Sequence, residues 1–289
     1  MRTPVSHTPG ILRLLLLALA MTGCASRAAS LSGEGTLHIR VAEEGWEEAL
    51  AAEVHAVVNS AAEVLLEPIP RHRPLAIHVT NADTGPKVLK KRNARGEYRV
   101  QLNVHGRYWA QAAYQFSHEL CHVLTNFDAR ERAGETRWFD EALCEAVSLY
   151  TLTRMAERWA YAPPFQSWFT YHGALNDYVR QVMAQHEAVH PGEQAFVPWL
   201  AAHEPRLRKN PYDRALTGIV SLRLYGVIMH HPQGLAAIIH LNQGTPASSL
   251  PVMLLQWHAR VPPDQRPFVR AIARALGVAI ATGGNEIAA

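Results

Sequence analysis

The chain has 289 residues, of which 48% are hydrophobic and 18% charged, with Lys+Arg 28 against Asp+Glu 25 and a formal net charge of +3. This balance excludes an intrinsically disordered chain, and a net charge this small over such a length does not support a nucleic-acid binder that works through bulk electrostatics. Three cysteines are too few for a disulfide scaffold, and Gly 18 and Pro 18 without a period rule out a collagen-like chain. The length allows one large domain or two small ones, each able to bury a core. His 16 is the one compositional excess, and it directs the search toward metal ligands.

Residues 1–23 read as a targeting leader. Arg2 and Arg13 give a positive start, and the uncharged apolar run at 14–21 is too short to span a bilayer as a helix. The run ends in Met21-Thr22-Gly23-Cys24, which resembles a bacterial lipobox. That resemblance implies cleavage before Cys24, lipidation of Cys24 and attachment to a lipid bilayer of the bacterial cell envelope. The alternative is a plain secretory signal cut near Ala25 or Ala29. Residues 24–35, rich in Ala, Ser and Gly, form a flexible tether.

Along 36–278 the strand signals come first. Alternating residues at 36–41 predict a strand, and Trp46, Leu50, Val54, Val57, Val58, Ala61 and Leu65 predict a helix over 44–66 that Pro68 and Pro70 end. Strands are predicted at 75–80 and 97–104. Between these two lies a turn-rich stretch, 81–96, with Lys87, Lys90, Lys91, Arg92 and Arg95. A solvated loop is the ordinary reading of it, and a flap that attracts anionic groups is the other. Helices are predicted at 108–126, 137–158, 170–188, 211–230, 233–242, 248–258 and 265–277, followed by a loose tail at 279–289. Strands followed by helices predict an α+β fold: a small N-terminal β-sheet packed on a mainly helical C-terminal part.

The chemistry-bearing motif is His118-Glu119-Leu120-Cys121-His122. On a helix, residues four apart share a face, so both imidazoles can reach one metal ion. Glu119 lies about 100° around the helix, which puts its carboxylate beside the ion, where it can hold a water. Imidazole suits zinc, and a catalytic site needs three protein ligands and an open position. After 18 intervening residues comes Glu141, within Trp138-Phe139-Asp140-Glu141-Ala142-Leu143-Cys144-Glu145. The pattern HExxH-x18-E resembles the gluzincin metallopeptidases of the aminopeptidase N group, and the size resembles the small Peptidase MA-like proteins called minigluzincins. The resemblance implies a zincin-like core with one Zn²⁺ held by His118, His122 and Glu141 in a cleft. Glu119 would be the general base, and Glu145 would hydrogen-bond His118. Ala142 and Cys144 replace a Gly and a small residue of that pattern. Asn210-Pro211-Tyr212-Asp213-Arg214-Ala215 resembles the P-Y-E-K-G segment of the same family, which implies that Tyr212 donates to the oxyanion; Tyr225 is the next candidate. The strand before the HExxH helix, here 97–104, would be the sheet edge to which a peptide substrate adds. The family's G-A-M-E-N segment is missing, which favours endopeptidase action.

Cys121 and Cys144 each sit three residues after a ligand, and either a disulfide between the two helices or two packed thiols accounts for them. His230 and His231 read as surface residues at a helix end. The expected function is therefore zinc-dependent hydrolysis of a peptide or protein substrate. The competing classes are a non-catalytic scaffold acting in binding or envelope assembly, and a zinc hydrolase of a non-peptide substrate.

Overall fold

The computed structural model describes residues 35–69, 73–127 and 134–280. The leader at 1–23, Cys24, all of the tether but residue 35, and residues 281–289 lie outside them. Within them the order is β1 (Leu37–Val41), α1 (Ala51–Leu66), β2 (Leu75–Asn81), β3 (Lys87–Val88), β4 (Tyr98–Leu102) and then α2 (Trp109–Leu124), α3 (Arg137–Trp159), α4 (His172–Glu187), α5 (Phe196–Lys209), α6 (Arg214–His230), α7 (Leu250–Arg260) and α8 (Arg266–Ala275). Three short 3₁₀ segments, Gly134–Thr136, Gln166–Tyr171 and Pro232–His240, join the helices. The α+β expectation stands: a small N-terminal sheet and a mainly helical remainder. No helix of the described residues is long and apolar enough to cross a membrane.

The sheet order is β1-β2-β4-β3. β1, β2 and β4 are parallel, with α1 as the crossover from β1 to β2, and β3 is antiparallel to β4 with Lys87 opposite Gln101. Ile77, Val79, Val100 and Leu102 are fully buried, the pattern of strands covered by helix. β4 therefore lies inside the sheet, and the expectation that residues 97–104 form its edge is corrected: the edge is β3, two residues within the stretch read as a loop. No strand pairs with its outer side among the described residues.

α1 starts seven residues later than expected. Gly45 and Glu47 have φ of 93° and 54°, which a helix does not admit, and the Trp46 indole donates to Ala42 O at 2.7 Å to pin a loop. The helix begins where the Glu53 carboxylate accepts the Leu50 N–H at 2.9 Å. α5 was not expected, because only Phe196, Leu200 and Leu207 of it are buried and Pro205 sits inside it. Residues 232–240 wind as 3₁₀, not α, after Pro232.

α3 is the central element. It packs against α1, α2, α4 and α6, and its buried residues occupy every face. Its buried hydroxyls are satisfied within the helix, Ser148 by Cys144 O at 2.8 Å and Thr151 by Val147 O at 2.9 Å. α2 is locked to the end of β4 by the Gln115 amide, which accepts from Asn103 N at 2.8 Å and donates to Asn103 O at 2.9 Å. Its C-terminal end is fixed by Asn126, in the left-handed region at φ 61°, whose amide donates to Ile239 O and Leu241 O at 2.8 and 2.9 Å. Asn242 completes the bracket by donating to Thr125 O at 2.9 Å and to Asp140 Oδ1 at 3.2 Å. These ties fix α2 against α3 at the positions that carry His118, His122 and Glu141. Trp109, Trp159, Trp168 and Trp257 are core residues and Trp199 packs partly buried against the core; none of them lines the cleft described next.

Candidate metal centre

His118 and His122 face the same side of α2 one turn apart, and Glu141 meets them from the first turns of α3. His118 Nε2 lies 3.1 Å from His122 Nε2, and Glu141 Oε2 lies 3.4 Å from the first and 3.5 Å from the second. Among the described residues this is the one group of three or more His, Cys, Asp or Glu side chains close enough to share an ion. Ligand bonds of about 2.0–2.1 Å in a tetrahedron put ligand atoms about 3.3 Å apart, so the triangle fits zinc as it stands. The outer ring nitrogens have other partners: His122 Nδ1 lies 3.4 Å from Cys144 Sγ, and His118 Nδ1 lies 4.0 Å from Glu145 Oε2. With the protons on Nδ1, two Nε2 lone pairs and a carboxylate oxygen converge on one point, an arrangement that a shared cation reconciles.

The electrostatics agree. Burial pushes the Glu141 carboxyl up, but contact with both imidazoles holds it well below the usual carboxylate range. For His118, burial lowers the pKa, and the contact with Glu141 and the charges of Glu119, Glu141 and Glu145 outweigh it and raise it. The pocket thus favours positive charge at the centre of the triangle.

Glu119 is 4% exposed, lines the cleft and has no hydrogen-bond partner among the described residues. A buried carboxylate without a partner beside a trio of ligand atoms is placed to hold a water. Glu145 stands on the expected side of His118 but beyond hydrogen-bond length. Its nearer partners are residues the sequence did not point to: Tyr114 of α2 donates to Oε1, and His186 Nε2 of α4 lies 3.7 Å from the same oxygen. Burial raises the Glu145 carboxyl, and His186, His118 and Tyr114 together pull it below its ordinary value. Gly218 of α6 is needed here, because a Cβ at that position would overlap the His186 ring. His186 lies 41 residues beyond Glu145 on a separate helix, and no spacing rule could have found it.

Tyr212 lines the same cleft, 59% exposed, just before α6, which begins at Arg214 rather than 211. Arg137 Nη1 donates to its hydroxyl oxygen at 3.0 Å, leaving the phenol proton free to donate. Tyr225 instead shares a hydrogen bond of 3.1 Å with Thr153 and is not part of the cleft, so Tyr212 alone of the two is positioned at the site. Cys121 and Cys144 are free buried thiols, so the disulfide alternative is corrected to the packed pair. Burial and the neighbouring Cys121 push the Cys144 thiol well up, keeping it protonated. Its sulfur meets the outer nitrogen of His122, away from the ligand triangle.

The cleft has a volume of about 630 Å³. Pro86, Lys87, Val88 and Lys90 around β3, together with Arg137, Arg214 and Thr217, complete its lining. Part of the basic stretch at 81–96 is thus a wall of the cleft. In comparisons with protein-family models, curated proteins and solved structures, nothing matches the chain.

Proposed function

We propose that this chain is a zinc-dependent endopeptidase of the gluzincin type, held to the bacterial cell envelope by a lipid on Cys24. The observation that carries the reading is the triangle of His118 Nε2, His122 Nε2 and Glu141 Oε2, with sides of 3.1, 3.4 and 3.5 Å, beside the unpartnered carboxylate of Glu119. The three ligands would hold Zn²⁺, which when bound supplies Lewis acidity toward a carbonyl oxygen and a water of lowered pKa. Glu119 accepts a proton from the attacking water and returns it to the leaving nitrogen. Tyr212, its oxygen already occupied by Arg137, turns its proton toward the negative charge that develops on the carbonyl oxygen. Cys144 beside His122 Nδ1 favours the tautomer that directs the His122 Nε2 inward, and the Glu145 charge 4.0 Å from His118 Nδ1 favours a proton on that nitrogen. The outer edge of β3, beside the cleft, offers unpaired backbone groups to an extended peptide.

The test uses protein beginning at residue 25, assayed for bound metal and against a diverse peptide library beside the Glu119→Gln variant. The expected result is one zinc per chain in both proteins and cleavage by the wild type only. Protein that takes up no stoichiometric zinc would refute the reading at its root. Zinc in both with equal, negligible cleavage would transfer the site to a binding role, and cleavage of esters or amides but no peptide would reassign the substrate.

A further inference from the structure

The peptidase reading above leaves one feature of the cleft unused. Lys87 and Lys90 stand on the β3 wall, and Arg137 of α3 and Arg214 at the start of α6 line the same cleft. Among the described residues none of these four takes part in an ion pair. Elsewhere the basic side chains of this fold are commonly neutralised: Arg40 by Glu97, Arg107 by Glu53, Arg206 by Asp213, and Arg208 by both Glu135 and Glu204. Among the described residues the only carboxylates lining the cleft are Glu119, Glu141 and Glu145. Glu141 is committed to the two imidazoles and Glu145 to Tyr114 and His186, with the Arg214 charge acting on Glu145 only at longer range, so neither carboxylate forms an ion pair with the four cations.

We propose that this cleft selects peptide segments carrying acidic side chains on both sides of the bond it presents to Glu119. Four fixed cations around a site that itself gathers a divalent ion give the cleft a positive potential, and partly enclosed walls focus it. The apolar parts of the lining, Pro86, Val88 and Phe127, suit the backbone and short side chains of an extended segment between its charged flanks. Lys87 is opposite Gln101 in the β3–β4 register, so it sits on the edge strand itself, where an added strand would run alongside it. The lysines and the arginines reach the cleft from separate elements, β3 on one hand and α3 and α6 on the other, which lets them meet different flanks of one bound segment. Arg137 also holds Tyr212, which ties recognition of one flank to the donor of the oxyanion hydrogen bond.

The inference rests on the peptidase reading for its substrate but is tested by binding, so the two can fail separately. The probe is a fluorescein-labelled decapeptide with Glu at two positions on each side of a central Ala-Leu, beside Gln and Lys counterparts. Binding to zinc-loaded Glu119→Gln protein is followed by anisotropy. The expected order is Glu over Gln over Lys, with the Glu peptide at least 10-fold tighter than the Gln peptide in 50 mM salt and the advantage shrinking toward none at 500 mM. The double variant Lys87→Gln/Lys90→Gln should lose most of that advantage while keeping its zinc, and Arg95→Gln/Arg99→Gln, an equal loss of charge at two exposed positions outside the cleft, should keep it. Equal affinity for the Glu and Gln peptides, or an advantage that the double variant retains, overturns the inference. Charge discrimination in an enzyme that cleaves no peptide leaves the inference standing and defeats the peptidase reading instead.

Discussion

The α2–α3 wall of the cleft and the wall made by residues 86–90 and 212–217 differ in burial, in charge and in the sequence distance between their parts. On the first, His118, Glu119, His122 and Glu141 lie within 24 residues on two helices. They are backed by Cys144, Glu145 and Tyr114, and are braced by the Asn126 and Asn242 hydrogen bonds. On the second, Lys90, Tyr212 and Arg214 are exposed, and the parts come from a two-residue strand and a turn more than 120 residues apart. The difference teaches where each kind of work is done. Groups that must converge within about 3.5 Å need a packed, over-determined support, and groups that meet a variable ligand are placed on the surface of that support.

Substitutions test this division. The largest effect is expected on the buried wall: Glu141→Gln removes one ligand and the charge that both imidazoles face, and zinc affinity should fall by at least about 100-fold in a competition titration with a chelator. A fall of less than about 10-fold would mean that Glu141 is not a ligand. Tyr212→Phe, on the exposed wall, should leave zinc affinity unchanged and lower kcat by about 100-fold, the usual cost of one oxyanion donor. If KM moves instead of kcat, the phenol binds substrate rather than the oxyanion. Cys144→Ala, back on the buried wall, should weaken zinc by about 10-fold through the loss of the His122 Nδ1 partner, and Cys144→Ser should recover most of it. An alanine variant with full affinity would reduce the thiol to packing.

The smallest effect lies at a residue outside the cleft lining and serves as the reference. Glu97, hydrogen-bonded and charge-paired with Arg40 across β2 and hydrogen-bonded to Asn93, is held down to about 2 from 4.5. A carboxyl with a depressed folded value contributes stability that is complete above its unfolded value. That stability is lost as pH falls through the folded one. Wild-type Tm should therefore drop between about pH 4.5 and 2 more steeply than that of Glu97→Gln, with zinc binding at neutral pH untouched. Parallel pH profiles for the two proteins would show the Arg40–Glu97 pair to be energetically idle.

Much of the buried wall was legible in the chain. His118 and His122 are four residues apart on a helix, so local periodicity places both imidazoles on one face, whereas Glu141, on the next helix, was reached through the resemblance carried by its spacing. Strand-first, helix-later order was likewise enough for the α+β class. What the sequence could not reveal depends on contacts between distant segments. β3 is two residues long and exists only because β4 offers it a partner, so no periodicity marks it, and the sheet edge was placed one strand too far in. The start of α1 was misplaced because Gly45 and Glu47 adopt positive φ within an otherwise helical pattern. α5 carries too narrow an apolar stripe, with Pro205 inside it, to announce itself.

The sequence by itself determined the helix that carries the two imidazoles, since that rests on spacing within one element, and it pointed to Glu141 and Tyr212 through short motifs that resemble those of a known family. Only the tertiary structure decided which tyrosine reaches the cleft, that the two thiols pack unlinked with one of them on His122, that Tyr114 and His186 hold Glu145, and that the basic loop forms a wall. Each of these is a meeting between residues on different elements. Such meetings are set by how buried helices pack and how strands order in a sheet, and a one-dimensional pattern of residue types does not encode them directly.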